Sequence, residues 1–261
     1  MHFDLADQYR PRPSFVHHLD PRVKVVVALA FILAAGLMPI GAWGGYAALL
    51  ILALGASLTS GLGPIFALRR SYVALPFALV ALPLVFTVPG EVVYHTPLTG
   101  WTITAQGLER FLSLMLRSWI AIQAAILLTA VTPFPDVLWA LGTLRFPRLL
   151  VATIGFMYRY FFVLADEATR MLRARAARSA EVGGRRKTPA LWQARVAGHM
   201  VGSLFLRALE RSERVHAAML ARGYNGQMPN LAQRAMRRMD WLVILAALLL
   251  LVGLLAWARP F

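Results

Sequence analysis

Long apolar stretches alternate with short polar ones along most of this chain. Val23–Met38 is broken only by Lys24, and Trp43–Leu58 follows after the very short link 39–42. Tyr72–Val88 is a third run, with Pro76 and Pro83 inside it. The fourth is Ala105–Val131, uncharged from Trp119 onward, and the last is Trp241–Trp257. Each is long enough, or nearly so, to cross a hydrocarbon layer of ~30 Å as a helix. Prolines inside the third are compatible with that, because neighbouring helices re-satisfy the freed carbonyls. The first run follows a basic stretch and ends in small residues, as a secretory signal does. Further spans follow it, so it reads as a retained helix.

Between the fourth and last runs the pattern changes. Phe161, Leu164, Ala168 and Met171/Leu172 recur with the 3.6-residue period of an amphipathic helix, with Arg170 and Arg173 facing elsewhere. A second stripe runs through Val201, Leu204/Phe205, Ala208/Leu209, Ser212, Val215 and Met219. Arg207, Glu210, Arg211 and Arg214 take its opposite side, and Glu210 and Arg214 are spaced for an i,i+4 ion pair. The segment 181–189 between the stripes, with Gly183-Gly184 and Pro189, reads as a turn-rich linker. Upstream, Arg145-Phe-Pro-Arg148 reads as an elbow. Pro147 lacks a donor and disfavours helix at Phe146, so it separates two helices. Leu149–Ala165 is nearly apolar for 17 residues. A sixth span is one reading of it, but Arg159 at its middle costs roughly 3 kcal/mol on insertion scales. A helix lying at or under the membrane interface is the preferred reading.

Composition agrees with a membrane protein. Of 261 residues, 59% are hydrophobic, where a soluble domain is nearer half. Cysteine is absent, which excludes disulfides, thiolate metal sites and a Cys nucleophile. There are 27 Lys and Arg against 12 Asp and Glu, a net charge of +15. Their placement is uneven: four lie in residues 1–24, Arg69 and Arg70 follow the second run, none lies in 39–42 or 89–106, and eighteen lie in 133–240. By the positive-inside rule the N-terminus, the 59–71 loop and 133–240 are cytoplasmic. The expected fold is an all-α integral membrane protein with about five transmembrane helices. Residues 1–22 form a cytoplasmic N-terminal segment, 23–132 the first four spans, 133–240 a cytoplasmic region of amphipathic helices, and 241–258 the last span, which leaves the C-terminus outside.

Each amphipathic segment ends in an Arg flanked by small residues: Ala177-Arg178-Ser179 and Ala221-Arg222-Gly223. Small neighbours let another surface close around the guanidinium, whose rigid fork suits a carboxylate. Gly223 also suits the left-handed conformation that ends a helix, with Asn225-Gly226 continuing the turn.

Four motifs, in order along nearly the whole chain, carry a resemblance: Leu19-Asp-Pro-Arg22-Val-Lys24; Phe146-Pro-Arg148; Tyr158-Arg-Tyr-Phe-Phe-Val-Leu-Ala-Asp166-Glu167 leading to Ala177-Arg178-Ser179; and Ser212-Glu-Arg-Val-His-Ala-Ala-Met-Leu-Ala-Arg222-Gly223-Tyr224. The chain resembles the transmembrane T component of energy-coupling factor (ECF) transporters, in the cobalt/nickel branch (CbiQ/NikQ type). The resemblance implies that the basic helices are coupling helices. It implies that Arg178 and Arg222 each insert into an acidic groove of one of two ABC-type ATPase subunits. It also implies a scaffold role beside a substrate-binding membrane subunit (the S component), in the inner (plasma) membrane. The chain itself would then be non-catalytic, with ATP hydrolysis in the partners and the metal ligands in another chain. Ser179 departs from the Ala-Arg-Gly pattern, because Ser ends a helix less readily than Gly.

Other chemistry fits less well. Gly183-Gly-Arg-Arg-Lys187-Thr188 lacks the spacing of a phosphate loop. The six histidines show no helical metal spacing, and a site from His2, Asp4, His17 and His18 would be undemanding in its pattern, so neither a metal nor a cofactor is assigned. Arg117, in the fourth run, is a functional candidate by position, but reads as a snorkelling residue or a cap on a neighbour. Nucleic acid is disfavoured, because no aromatics interleave with the cations to stack bases. A membrane enzyme of lipid or isoprenoid metabolism is the alternative function. It would need carboxylate clusters at cytoplasmic helix ends, which the sequence does not offer.

Overall fold

The structure, a computed structural model, describes residues 9–95, 102–178, 190–224 and 236–258. Its elements are α1 (Phe15–His18), α2 (Pro21–Leu37), α3 (Trp43–Thr59), α4 (Pro64–Arg70), α5 (Leu75–Ala81), α6 (Leu84–Thr87), α7 (Ala105–Val131), α8 (Phe134–Thr143), α9 (Arg148–Arg178), α10 (Ala190–Ala221) and α11 (Arg238–Ala258). One antiparallel ribbon, β1 (Val92–His95) with β2 (Thr102–Thr104), precedes α7. The chain forms two compact units, residues 145–233 and the remainder.

The larger unit is a bundle in which α2 packs on α7, α11 and α8, and α7 also packs on α3 and on the broken segment α4–α6. Its core joins Ala35, Met38, Tyr46, Leu49, Ile120 and Leu251. Local chemistry starts each helix. Asp20 caps α2 by accepting the Arg22 N–H at 2.9 Å, and Pro21 takes the first position, where no donor is needed. Thr104 caps α7 through the Gly107 N–H at 3.1 Å, while its hydroxyl donates to the Val88 carbonyl at 2.8 Å. A Cβ at Gly107 would lie 2.8 Å from the carbonyls of Leu84 and Val85, so only glycine lets α7 approach α6 this closely. Asp240 accepts the Arg237 N–H at 2.9 Å from the third helical position of α11, the reach-back half of a capping box.

Among the described residues, three helices are long and apolar enough to cross a membrane: α7, α9 and α11. The apolar α3 is shorter. Helix α11 is apolar all round, with Leu249 and Val252 largely exposed. Trp241 and Trp257, both exposed, lie ~24 Å apart along it, as two interfacial belts do. The chain is a multi-pass, all-α membrane protein.

The third apolar run is not one helix. A 3₁₀ turn at Ser71–Ala74 precedes α5, and α6 begins only after Pro83. Pro76 sits in the first turn of α5 and Pro83 directly precedes α6, positions where a missing N–H costs nothing. Each proline therefore starts a new helix instead of interrupting an old one. Arg69 and Arg70, expected in a loop, form the last turn of α4. The basic stretch 133–240 is likewise not one packing unit: α8 packs against α2, and residues from 234 onward belong with the bundle.

Candidate functional site

The smaller unit consists of α9 and α10, and none of their residues is buried. The helices run antiparallel. Arg175 lies over the Trp192 ring at 5.8 Å, the Ser203 hydroxyl meets the Met171 sulfur at 4.0 Å, and Arg207 Nη1 meets Glu167 Oε1 at 2.6 Å. Glu167 also accepts from Arg170, one helical turn on. The hydrogen bond from Arg207, reinforced by the charge of Arg170, holds the Glu167 carboxyl below the usual carboxylate range against a smaller opposing effect of burial.

Arg170 and Arg207 are exposed, on the polar faces expected of them, and each reaches Glu167 from there. The covered stripe of α10 is rotated from the expected one, because Val196, Met200, Ser203, Leu204, Ala208, Arg211, Val215 and Met219 are its half-buried positions. Val201, Phe205 and Leu209 form a second stripe that stays exposed. Among the described residues no ion pair joins Glu210 to Arg214; Glu167, assigned no role of its own from sequence, is the carboxylate that matters.

Pro147 stands between α8 and α9, and its carbonyl accepts the N–H groups of Leu150 at 3.0 Å and Val151 at 3.2 Å as α9 begins. Arg145, with φ +65°, makes the turn. Arg178 is the last residue of α9, exposed, beside exposed Ala177. Ser179 lies outside the described residues.

At the end of α10 the Tyr224 N–H donates to the Met219 carbonyl at 3.0 Å, and the Gly223 N–H to the Leu220 carbonyl at 3.0 Å. Gly223 has φ +80°. This is the Schellman closure of a helix. Ala221, Arg222 and Gly223 are all exposed, and a Cβ at Gly223 would meet nothing within 4 Å. The glycine is there for its backbone conformation and not for want of space. It turns the chain away immediately beyond Arg222, leaving the guanidinium at the tip.

Because α9 and α10 are antiparallel, their C-terminal ends point in opposite directions. Measured outward from the Glu167–Arg207 contact at ~1.5 Å per residue, Arg178 and Arg222 lie on the order of 40 Å apart. Both sit at the negative end of a helix dipole, a favourable place for a cation.

The Leu19–Lys24 motif is absorbed into the bundle. Asp20 and Asp240 are both buried, and the Asp20 N–H donates to Asp240 Oδ1 at 3.4 Å. The Arg22 guanidinium stacks on Trp139 at 4.4 Å. Arg117 donates from Nε to the Tyr46 hydroxyl at 2.9 Å and from Nη2 to the Met38 carbonyl. It therefore caps the end of α2. His17 contacts the Ser14 hydroxyl at 2.6 Å and the Arg10 carbonyl at 3.0 Å; burial pushes its pKa below the usual histidine value. His2 and Asp4 lie outside the described residues.

Residues 12–232 match a family model described as a cobalt transport protein, CbiQ. The chain is 29% identical over 268 residues to the energy-coupling factor transporter transmembrane protein EcfT of Listeria innocua, covering 98% of both chains. It is 30% identical over 159 residues to the cobalt transport protein CbiQ of Rhodobacter capsulatus, covering 60% of this chain and 63% of that one. An uncharacterized protein of Methanocaldococcus jannaschii is 28% identical over 196 residues, and the chain spans 65% of its length.

Proposed function

We propose, for a chain that belongs to the CbiQ cobalt transport protein family, that it is the T component of an ECF-type importer of a transition-metal ion, cobalt or nickel. It is the non-catalytic membrane scaffold of that importer. Two ABC-type ATPase subunits dock on it, one at Arg178 and one at Arg222, and their ATP-driven closure is passed through α9 and α10 to a substrate-binding membrane subunit. The bundle lies in the plasma membrane, with the N-terminus and the α9–α10 unit on the cytoplasmic side.

One observation carries this reading: two exposed arginines end two antiparallel helices, on the order of 40 Å apart by helical rise. One partner at each end, moving together or apart, would exert a lever on the pair. A single partner would need only one tip. The resemblance to transporter subunits and the alternation of basic and bare loops support the same assignment. The membrane-enzyme alternative needs carboxylates free for chemistry at helix ends. The bundle's buried pair, Asp20 and Asp240, is instead spent on backbone N–H groups.

The test is co-purification of the ATPase subunits, together with metal uptake, for Arg178→Glu, Arg222→Glu and the double variant. Each single variant should weaken association, and the double should abolish it. Retention of both partners and of transport by the double variant would refute the assignment. Sidedness is checked separately. The chain has no cysteine, so Cys at Gly41, Thr99 or Gly184 is a unique target for an impermeant thiol reagent. Gly184→Cys should stay unlabelled in intact cells.

A further inference from the structure

The bundle contains a feature that coupling does not use. A cleft of about 310 Å³ opens between α2, α3, α7 and α11. Its walls are aliphatic and aromatic, among them Val27, Phe31, Leu52, Leu127 and Ala247. Its polar lining residues, Lys24, Ser60 and Thr132, stand at one end, where α2 begins and α3 and α7 finish. Thr132 is 2% exposed, and its hydroxyl has no hydrogen-bond partner among the described residues. Ser60 donates to the Ser57 carbonyl at 2.8 Å, and Lys24 to the His17 carbonyl at 3.0 Å.

The same end is ringed with cations. The Arg10 N–H donates to the Ala130 carbonyl at 3.0 Å, and its guanidinium lies 4.8 Å from the Phe66 ring. Arg70 lies 4.6 Å from that ring, and Arg12 donates to the Gly61 carbonyl. Asp20 and Asp240 are buried against backbone N–H groups, and Arg22 is 3.9 Å from Asp20.

We propose that this cleft binds one anionic phospholipid. Its acyl chain lies in the apolar slot, and its phosphate meets Lys24, the Thr132 hydroxyl and the cationic rim. An aliphatic slot with a cationic mouth complements an amphiphile with a negative head. A cleft of about 310 Å³ lies in the range of small-ligand sites. A buried hydroxyl without a partner is costly, and a phosphate oxygen would relieve it. The proposal requires only that the bundle be in a membrane, and so stands independently of the coupling role.

The experiment is native mass spectrometry of the purified full chain in dodecyl maltoside, titrated with phosphatidylglycerol or phosphatidylcholine of matched acyl chains. The wild type should hold one phosphatidylglycerol, with about tenfold preference. Ala247→Trp, which fills the slot, should lose it. Lys24→Gln should bring the two lipids to parity. Thr132→Val has a signature that mere damage would not produce: a higher melting temperature without lipid, and a smaller rise when phosphatidylglycerol is added. Should the Trp variant not fold, the wild type decides alone, because a bound ligand raises its melting temperature in a saturable way. Equal stabilisation of the wild type by both lipids would overturn the proposal, as would phosphatidylglycerol bound undiminished in Ala247→Trp. Cross-linking of Ala56→Cys to a partner's membrane helix in the assembled complex, with the lipid expelled, would make the slot a protein seat and overturn it too.

Discussion

In the bundle, Ala35, Leu49 and Ile120 are wholly covered; in the α9–α10 pair no residue is. Both units are mostly helical and comparably apolar in places, so secondary structure alone does not separate them. What separates them is where the apolar side chains find cover. The bundle finds it internally, in a core around Tyr46 and Met38. The pair finds little, and is joined by an exposed ion pair, a cation over a ring and a Ser–Met contact. Exposed ion pairs contribute little to stability. A unit that keeps Phe161, Val201 and Phe205 in the open is shaped for partners. On the proposed function, the bundle is built to persist and the pair to transmit.

Four measurements test that contrast. The largest effect is expected at the tips. If Arg222 docks as proposed, Arg222→Ala removes one partner of a charge pair that assembly buries, which costs ~2–5 kcal/mol. ATPase co-purification should weaken by roughly ten- to thousands-fold, and Arg222→Glu should do worse. The control is Arg173→Ala, exposed on α9. Arg170 is unsuitable because it pairs with Glu167.

The second sets equal truncations against each other. Leu49→Ala in the bundle should cost ~2–5 kcal/mol and lower the melting temperature of the purified chain. Phe205→Ala, in the pair, should leave that temperature nearly unchanged and reduce assembly instead. Equal melting losses for both would erase the distinction drawn between the units.

Third, Gly223→Ala forces a Cβ into φ +80° where space is open. The strain should be ~1 kcal/mol, read as a mild loss of helicity at the end of α10 and a several-fold loss of ATPase binding.

The smallest effect concerns Glu167. Its carboxyl is held low by Arg207 and Arg170, so its contribution is present above the ordinary glutamate value and is lost as pH falls through the lowered one. Spin labels at Ala177 and Ala221 should report a distance distribution that broadens on acidification through that range. In Glu167→Gln it should be broad at every pH.

Much of the local structure could be read along the chain. Apolar runs marked α2, α3, α7 and α11 because a helix in lipid must be apolar over its length, a property of consecutive residues. Gly223 marked the end of α10, because caps act within one turn. The third run misled, because Pro76 and Pro83 can either kink a span or begin new helices, and only the neighbours packed on α5 and α6 decide which. Glu167 and Arg207 are 40 residues apart, and the Asp20 N–H reaches Asp240 across 220. Neither contact has a sequence period. The same holds for which stripe of α10 is covered, because its apolar surface is wider than α9 can hide. Helices and their ends follow from interactions within a turn. Their partners follow from which faces meet, and those distances exist only once the chain has folded.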